Sequence, residues 1–476
     1  MTDMTVVAGD ETWRADSYVA AQFTRSAVSE DRAAQPLPTF GEWWEDRRRA
    51  ALFSVEEVPF RELDGWKSQS GSDNLVHESG RFFAVQGVRV ESETHGTWSQ
   101  PVINQSEIGI LGLLVREFGG VPHFLVQAKI EPGNVNTLQL SPSVQATRSN
   151  YTRVHGGADT RYLKYFRGGG GGQVLVDSLQ SEQGAWFWHK RNRNMVVRVT
   201  EDVPLHEDYR WVTAQQLRRL LGVENLVNMD TRAVLACMRF AAPPRHLPAH
   251  DDPYLRALCR SYDPVNGTAL HTDVEILSWH TEMRTRCDWH TSLVPLAEVR
   301  NWRRSGSAIE DEEGRSFRVI GVRVRTGNRE INQWSQPLIA PRGTGLAAFL
   351  TTSVHGVLHV LVRARPEPGV MDTVELGPTV RRTSETDVAE DEPFHAEVAA
   401  ADPRRVRFDT VLSEEGGRFH HAQTRYQVIE APDGFPTEVP DDFCWVTVHQ
   451  LMALLKHRHY VNIEARSLLA CLHSLW

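Results

Sequence analysis

Trp98-Ser99-Gln100-Pro101 and Trp334-Ser335-Gln336-Pro337 are one tetrapeptide written twice, 236 positions apart. The same offset carries Glu131-Pro132-Gly133 onto Glu367-Pro368-Gly369, His123 onto His359, and Thr147 onto Thr383. Upstream it carries Tyr18 onto Tyr254, Trp43 onto Trp279 and Trp66 onto Trp302. After a loop of unequal length the register resumes. Ser181-Glu182 meets Ser413-Glu414, Trp211-Val212-Thr213 meets Trp445-Val446-Thr447, and Leu235-Ala236-Cys237 meets Leu469-Ala470-Cys471. A period this long is a whole domain and not a solenoid repeat, so the chain reads as a duplication fused head to tail. The modules fall at 14–240 and 253–476, joined by the Pro-rich stretch 241–252. The first dozen residues are expected to lack order.

Each module predicts an α+β fold, a mixed and largely antiparallel sheet with flanking helices. Apolar runs at 82–90, 108–115 and 121–130 read as strands, with Gly119-Gly120 as a hairpin turn between the last two. Residues 317–324, 346–353 and 357–362 repeat them, and 174–179 and 195–199 add two more. Helices are expected at 39–53, 213–221 and 231–239, with copies at 447–456 and 465–474. The glycine run 168–172 is not followed by Lys-Ser or Lys-Thr, so it reads as a surface loop and not a phosphate loop.

The bulk numbers narrow the function. A chain of 476 residues exceeds what one core supports. Its 41% hydrophobic and 24% charged residues are those of a globular protein. A net charge of -9 argues against tracking the phosphates of a nucleic acid. The five cysteines are odd in number and none forms a CxxC pair, which points to buried thiols in a cytoplasmic setting. The stretch from Met1 to Gln22 has no apolar core of signal type, and no run of about 18 apolar residues suggests a membrane span.

A duplicated chain is its own control. Residues shared by both copies are enriched in scaffold, whereas polar residues confined to one copy are candidates for chemistry. Between the copies Asn104 becomes Ala340, Gln105 becomes Pro341 and Glu107 becomes Gly343. Further on, Asn134 becomes Val370, Arg148 becomes Ser384, Asn150 becomes Thr386 and Tyr151 becomes Asp387. The tract His189-Lys190-Arg191-Asn192-Arg193-Asn194 faces one poorer in cations and amides. Amides both donate and accept, which suits sugar hydroxyls, and cations suit a diphosphate. The expected ligand surface comprises Trp66, Trp98, Gln100, Asn104, Gln105, Asn134, Gln145, Thr147, Arg148, Ser149, Asn150, Arg191 and Arg193, shared residues among them. Tryptophan supplies the stacking face.

The blocks WSQPVINQSEIGILGLL, KIEPGNVNTLQLSPSVQATRSNY and LQSEQGAWFWHKRNRN resemble the NDP-hexose 2,3-dehydratase family, and the likeness spans nearly the whole chain. The run Arg167 to Gly172 departs from the more basic sequence expected there. What the resemblance implies is a substrate of the dTDP-4-keto-6-deoxyglucose type, loss of its C2 hydroxyl, and a 3,4-diketo-2,6-dideoxy product. It further implies modules of Nudix-hydrolase-like fold, a homodimer, no metal, no redox cofactor, and a downstream NADPH-dependent 3-ketoreductase. Arg116-Glu117-Phe118-Gly119-Gly120 is only a fragment of the Nudix hydrolase motif and lacks its paired glutamates, which argues against metal-dependent pyrophosphate hydrolysis.

With that substrate, a base takes the C3 proton, donors stabilise the enolate at O4, and an acid assists the departing C2 hydroxyl. Glu107 and Tyr151 lead as base and acid because the second copy lacks both. Glu131 and His155 stand in reserve, and Lys129 could serve the enolate or a phosphate. In the second copy Trp302, Arg365, Arg381, Arg382, Thr383 and Ser384 suggest a nucleotide site without catalysis. Two rival readings share the substrate: an epimerase acting through the same enolate, and an inert nucleotide-sugar-binding protein.

Overall fold

The structure is a computed structural model, and it describes residues 5–29, 32–147, 160–168, 170–243, 251–264, 268–327, 333–384 and 392–476. The duplication is visible strand by strand. In the first repeat a seven-stranded sheet runs in the order Gln173–Ser181, Arg191–Arg198, Gly109–Phe118, Val121–Ile130, Tyr209–Thr213. Leu138–Pro142 adds to Val121–Ile130, and Val144–Ala146 adds to Gly109–Phe118. Arg191–Arg198 lies parallel to Gly109–Phe118 and the other pairings in this sheet are antiparallel, so the sheet is mixed as the sequence predicts. The second repeat copies it with Val406–Ser413, Gln423–Glu430, Gly345–Val354, Val357–Pro366 and Phe443–Thr447.

Local chemistry explains the copied details. Gly119 and Gly120 both hold positive φ, as a two-residue hairpin requires. His355-Gly356 makes the same turn in the second repeat. Thr213 and Thr447 each close a capping box with a glutamine three residues on. Asn228 and Asn462 cap the following helices, Met229–Ala236 and Ile463–His473. The helix expected at 39–53 ends earlier, at Pro38–Ala50, because Phe53 already opens the strand Phe53–Val58. A helix is described over Thr5–Ala27. Among the described residues no helix is long and apolar enough to cross a membrane.

The repeats are not self-contained. Phe53–Val58 of the first repeat pairs antiparallel with Phe317–Thr326 of the second. Its counterpart His290–Val294 of the second repeat pairs with Ala84–Ser92 of the first. Each repeat therefore lends one strand to the other's small sheet. The exchange is keyed by tryptophan: the Trp66 indole donates to the Ser335 carbonyl at 2.8 Å, and the Trp302 indole to that of Ser99 at 3.2 Å. One apolar cluster draws on Phe124, Leu217 and Val234 from the first repeat and Phe349, Leu451 and Leu468 from the second. At its centre Arg232 and Arg466 are fully buried, and each guanidinium reaches across the seam. Arg232 donates to the Ser413 carbonyl at 2.9 Å, and Arg466 to that of Ser181.

Candidate active site

The two repeats cross most closely at their Glu-Pro-Gly motifs. The Gly133 amide donates to the Gly416 carbonyl at 2.7 Å, and the His421 amide donates to the Gly133 carbonyl at 2.8 Å. Gly369 makes the mirrored bonds with Gly184 and His189. Only glycine fits at these crossings. A Cβ on Gly133 would lie 1.6 Å from the Phe419 carbonyl oxygen, and one on Gly369 would lie 1.7 Å from that of Phe187. Each loop following a buried Ser-Glu pair thereby covers the sheet end of the opposite repeat.

At the first repeat's sheet end this arrangement assembles charged groups from both copies. The end is formed where Gly109–Phe118 and Arg191–Arg198 begin and where Val121–Ile130 and Gln173–Ser181 finish. Lys129 Nζ sits 2.6 Å from a Glu131 carboxylate oxygen, and both side chains remain partly open. From the second repeat come Glu415 and Arg418. Arg418 donates through Nε to Gln105 Oε1 at 3.0 Å and lies over the Phe83 ring. Lys190 donates to the Glu107 carbonyl at 2.5 Å. Beneath lies Glu182, which accepts from the Asn192 amide at 2.5 Å. Asp230, in the first turn of Met229–Ala236, is also buried there.

The electrostatics favour protonated acids. Burial pushes the Glu182 carboxyl up to about 7, with Glu415 adding to it, against the pull of Arg466, Lys190 and the Asn192 amide. Burial, then Glu415 and Glu182, raise Asp230 well above the carboxylate range, while Lys129 pulls it down. Glu415 is raised by burial first, opposed mainly by Arg418, with Glu131 adding to the rise. Burial lowers Lys190. A carboxyl held near neutrality beside cations, as Glu182 is, suits proton transfer at physiological pH.

The second repeat's equivalent end keeps the acids Glu367, Glu414 and Glu464 but differs at other positions. Glu415 is replaced by Gln183, Arg418 by Trp186, Lys190 by Ala422, and Glu107 by Gly343. Arg381 stands where the first repeat has Gln145, and pairs with Glu367 at 2.8 Å and with Glu464 at 2.6 Å. Arg365 pairs with Glu392. The positive charge expected to hold a second diphosphate is therefore matched by carboxylates.

The remaining expected residues scatter. Lys129, Glu131, Gln105 and Glu107 meet at the first repeat's site. Arg148, Ser149, Asn150, Tyr151 and His155 lie outside the described residues, which stop at Thr147, just past the strand Val144–Ala146, and resume at 160. Two expectations need correction. Trp66 is only 8% exposed and packs against Phe83, so it offers no free stacking face. Arg193 forms a bidentate pair with Asp177 at 2.7 and 2.5 Å, and its copy Arg425 pairs with Asp409 in the same way. It is a repeated cross-strand contact and not a ligand group. Asn134 closes its own turn on the Thr137 carbonyl, and the Asn104 amide donates to Gln86. Gln145 accepts from Ser141, and Arg191 is half-buried at the start of its strand. In the second repeat Arg382 ends a strand beside Thr383, and Ser384 donates to the Arg315 carbonyl.

Trp98, Gln100 and Trp302 line a separate groove of about 680 Å³ at the strand exchange. Its three arginines, Arg89, Arg300 and Arg315, are balanced by Glu91, Asp311 and Glu313, so it has no net charge to attract a diphosphate. The Gln100 amide is already committed to the Ala185 carbonyl. The cluster at the sheet end is the stronger site.

Sequence reading missed Glu182, Asp230, Glu415 and Arg418. Glu182 and Asp230 have acidic counterparts in Glu414 and Glu464, so comparison of the copies set them aside as scaffold. Glu415 and Arg418 do stand in one copy only, which was the signal sought. They belong to the other copy, and only the crossing of the loops brings them to this site.

Fold and site together define a duplicated α+β enzyme with an acid–cation pocket shared between its repeats. The NDP-hexose 2,3-dehydratase family model matches residues 38–238 and again 273–472, and the chain belongs to that family. It is 46% identical over 463 residues to a dTDP-4-dehydro-6-deoxy-alpha-D-glucopyranose 2,3-dehydratase of Saccharopolyspora spinosa, covering 96% of this chain and 95% of that one. Proteins of the same description from Amycolatopsis orientalis and Streptomyces violaceoruber are 43% and 45% identical, over 96% and 92% of this chain and 94% and 97% of theirs.

Proposed function

We propose that the chain removes water across C2 and C3 of dTDP-4-keto-6-deoxy-D-glucose, giving a dTDP-3,4-diketo-2,6-dideoxyhexose for deoxysugar biosynthesis. The observation that carries this reading is near full-length identity of 43–46% with three proteins so described. The site supports it chemically. The C4 ketone acidifies the C3 proton, and the Glu131 carboxylate takes it. Lys129 stabilises the enolate oxygen that forms at C4, a role supported by its position 2.6 Å from Glu131. The C2–O bond then breaks, its electron pair leaving with the hydroxyl as that oxygen gains a proton. The enol at C3 tautomerises to the ketone, so the sum is substrate to diketone plus water.

Purified protein incubated with this substrate should yield a product lacking the C2 oxygen by NMR. Inversion at C3 with all oxygens retained would instead establish the epimerase. Substrate loss should need no NADPH, which the proposed downstream 3-ketoreductase would use. Each repeat is proposed to be of Nudix-hydrolase type, supported by its mixed sheet and flanking helices. A cytoplasmic homodimer completes the proposal.

A further inference from the structure

Gly417 carries more information than its size suggests. A Cβ built on it would lie 2.8 Å from a Glu415 carboxylate oxygen and 3.5 Å from a Glu131 carboxylate oxygen. The backbone at Gly417 thus runs against two carboxyl groups, one from each repeat, and any side chain there would press on the Glu415 carboxyl. In the mirrored position the chain has Ala185, and Gln183 replaces Glu415. The second repeat's end therefore lacks the facing acid, although the backbone crossings at Gly133 and Gly369 are alike.

We propose that Glu415 of the second repeat is the general acid of the first repeat's site, protonating the C2 hydroxyl as it leaves, opposite Glu131 as base. This rests on the dehydratase reading given above. The arrangement balances: Glu131 gains the C3 proton, Glu415 loses one to the departing oxygen, and water carries that oxygen away. Proton return between the two carboxyls and solvent resets the site. Arg418, held by Gln105 and the Gly417 carbonyl, fixes the loop that presents Glu415. Burial keeps the Glu415 carboxyl above the ordinary carboxylate range, so it holds a proton to give.

The two half-reactions can be read separately in D₂O. Deuterium enters substrate C3 when the base works and the enolate returns, whether or not elimination follows. Glu415→Gln should cut dehydration by about 10²-fold or more while exchange at C3 persists. Glu131→Gln should lose both. Gly417→Ala, whose methyl would displace the Glu415 carboxyl, should slow elimination, whereas Ala185→Gly should turn over like the native enzyme. Unchanged thermal unfolding and dTDP affinity in Glu415→Gln would exclude a folding defect, and Glu415→Asp should recover part of the rate. If the native enzyme dehydrates and Glu415→Gln does so at a similar rate, this assignment fails and the dehydratase reading stands. Loss of exchange along with elimination in a folded Glu415→Gln would also overturn it, as would the exchange-only phenotype appearing in Tyr151→Phe instead. If the native enzyme forms no dehydrated product, the proposed function itself falls.

Discussion

Glu131 and Glu182 both stand at the first repeat's sheet end, but they are set for different work. Glu131 is partly open and paired with Lys129, as a base that meets substrate must be. Glu131→Gln should therefore lower kcat by about 10²-fold or more with little effect on dTDP affinity. Near-native turnover would remove it from the mechanism. Glu182 is closed off, and burial lifts its carboxyl from an ordinary 4.5 to about 7. A group that binds its proton more tightly when folded adds stability below its unfolded value and loses it as pH rises through the folded one. The unfolding midpoint of Glu182→Gln, relative to the native chain, should thus climb between pH 4.5 and 7 and level off above. A difference that ignores pH would show that the carboxyl is ionised throughout. The shared histidines behave as scaffold: His123 and His359 each sit fully buried, contact a carbonyl two residues back, and accept an amide from a preceding loop.

Among the elements, the Glu-Pro-Gly turns and the exchanged strands hold the repeats in register. Gly133→Ala and Gly369→Ala would each drive a methyl into a backbone carbonyl, at 1.6 and 1.7 Å, which no side-chain rotation can relieve. Each should cost about 1–3 kcal/mol or more in chemical denaturation, as overpacking does. Their effects on activity should differ. Gly133→Ala displaces the loop carrying Glu415 and should abolish turnover, whereas Gly369→Ala displaces the loop at Gln183 and should leave the folded fraction active. Equal activity losses would mean that both sheet ends serve catalysis. The Gly119-Gly120 hairpin and the Thr213 cap were legible from local chemistry, because each acts on near neighbours, whereas the Asn228 cap, which starts its helix two residues before the expected Thr231, was not read. Which sheet Phe53–Val58 would join was not, because an alternating strand fits either copy's small sheet equally well.

As a whole the molecule is one interlocked body. Residues 14–240 expressed alone would lack the strand His290–Val294 and half of the shared apolar cluster, and 253–476 would lack Phe53–Val58. Neither half should show a cooperative unfolding transition alone, and the two expressed together should recover one along with dehydratase activity. A half that unfolds cooperatively by itself would show that the exchange contributes little to stability.

The order of residues was sufficient to reveal a duplication, a mixed sheet with flanking helices, and the family, because repeats and long motifs survive as linear pattern. It also named Lys129, Glu131, Gln105 and Glu107, which the fold brings to one sheet end. It misdirected the reading of Trp66 and Arg193, since an indole in a core and an arginine across a strand look the same in a string as an indole or arginine facing a ligand. The composite character of the site was not in the string at all. Glu415 and Arg418 lie some 280 positions beyond Glu131 and in the other copy. They reach it because Gly133 has no side chain to keep the Phe419 carbonyl away, and that contact exists only once the two repeats have crossed.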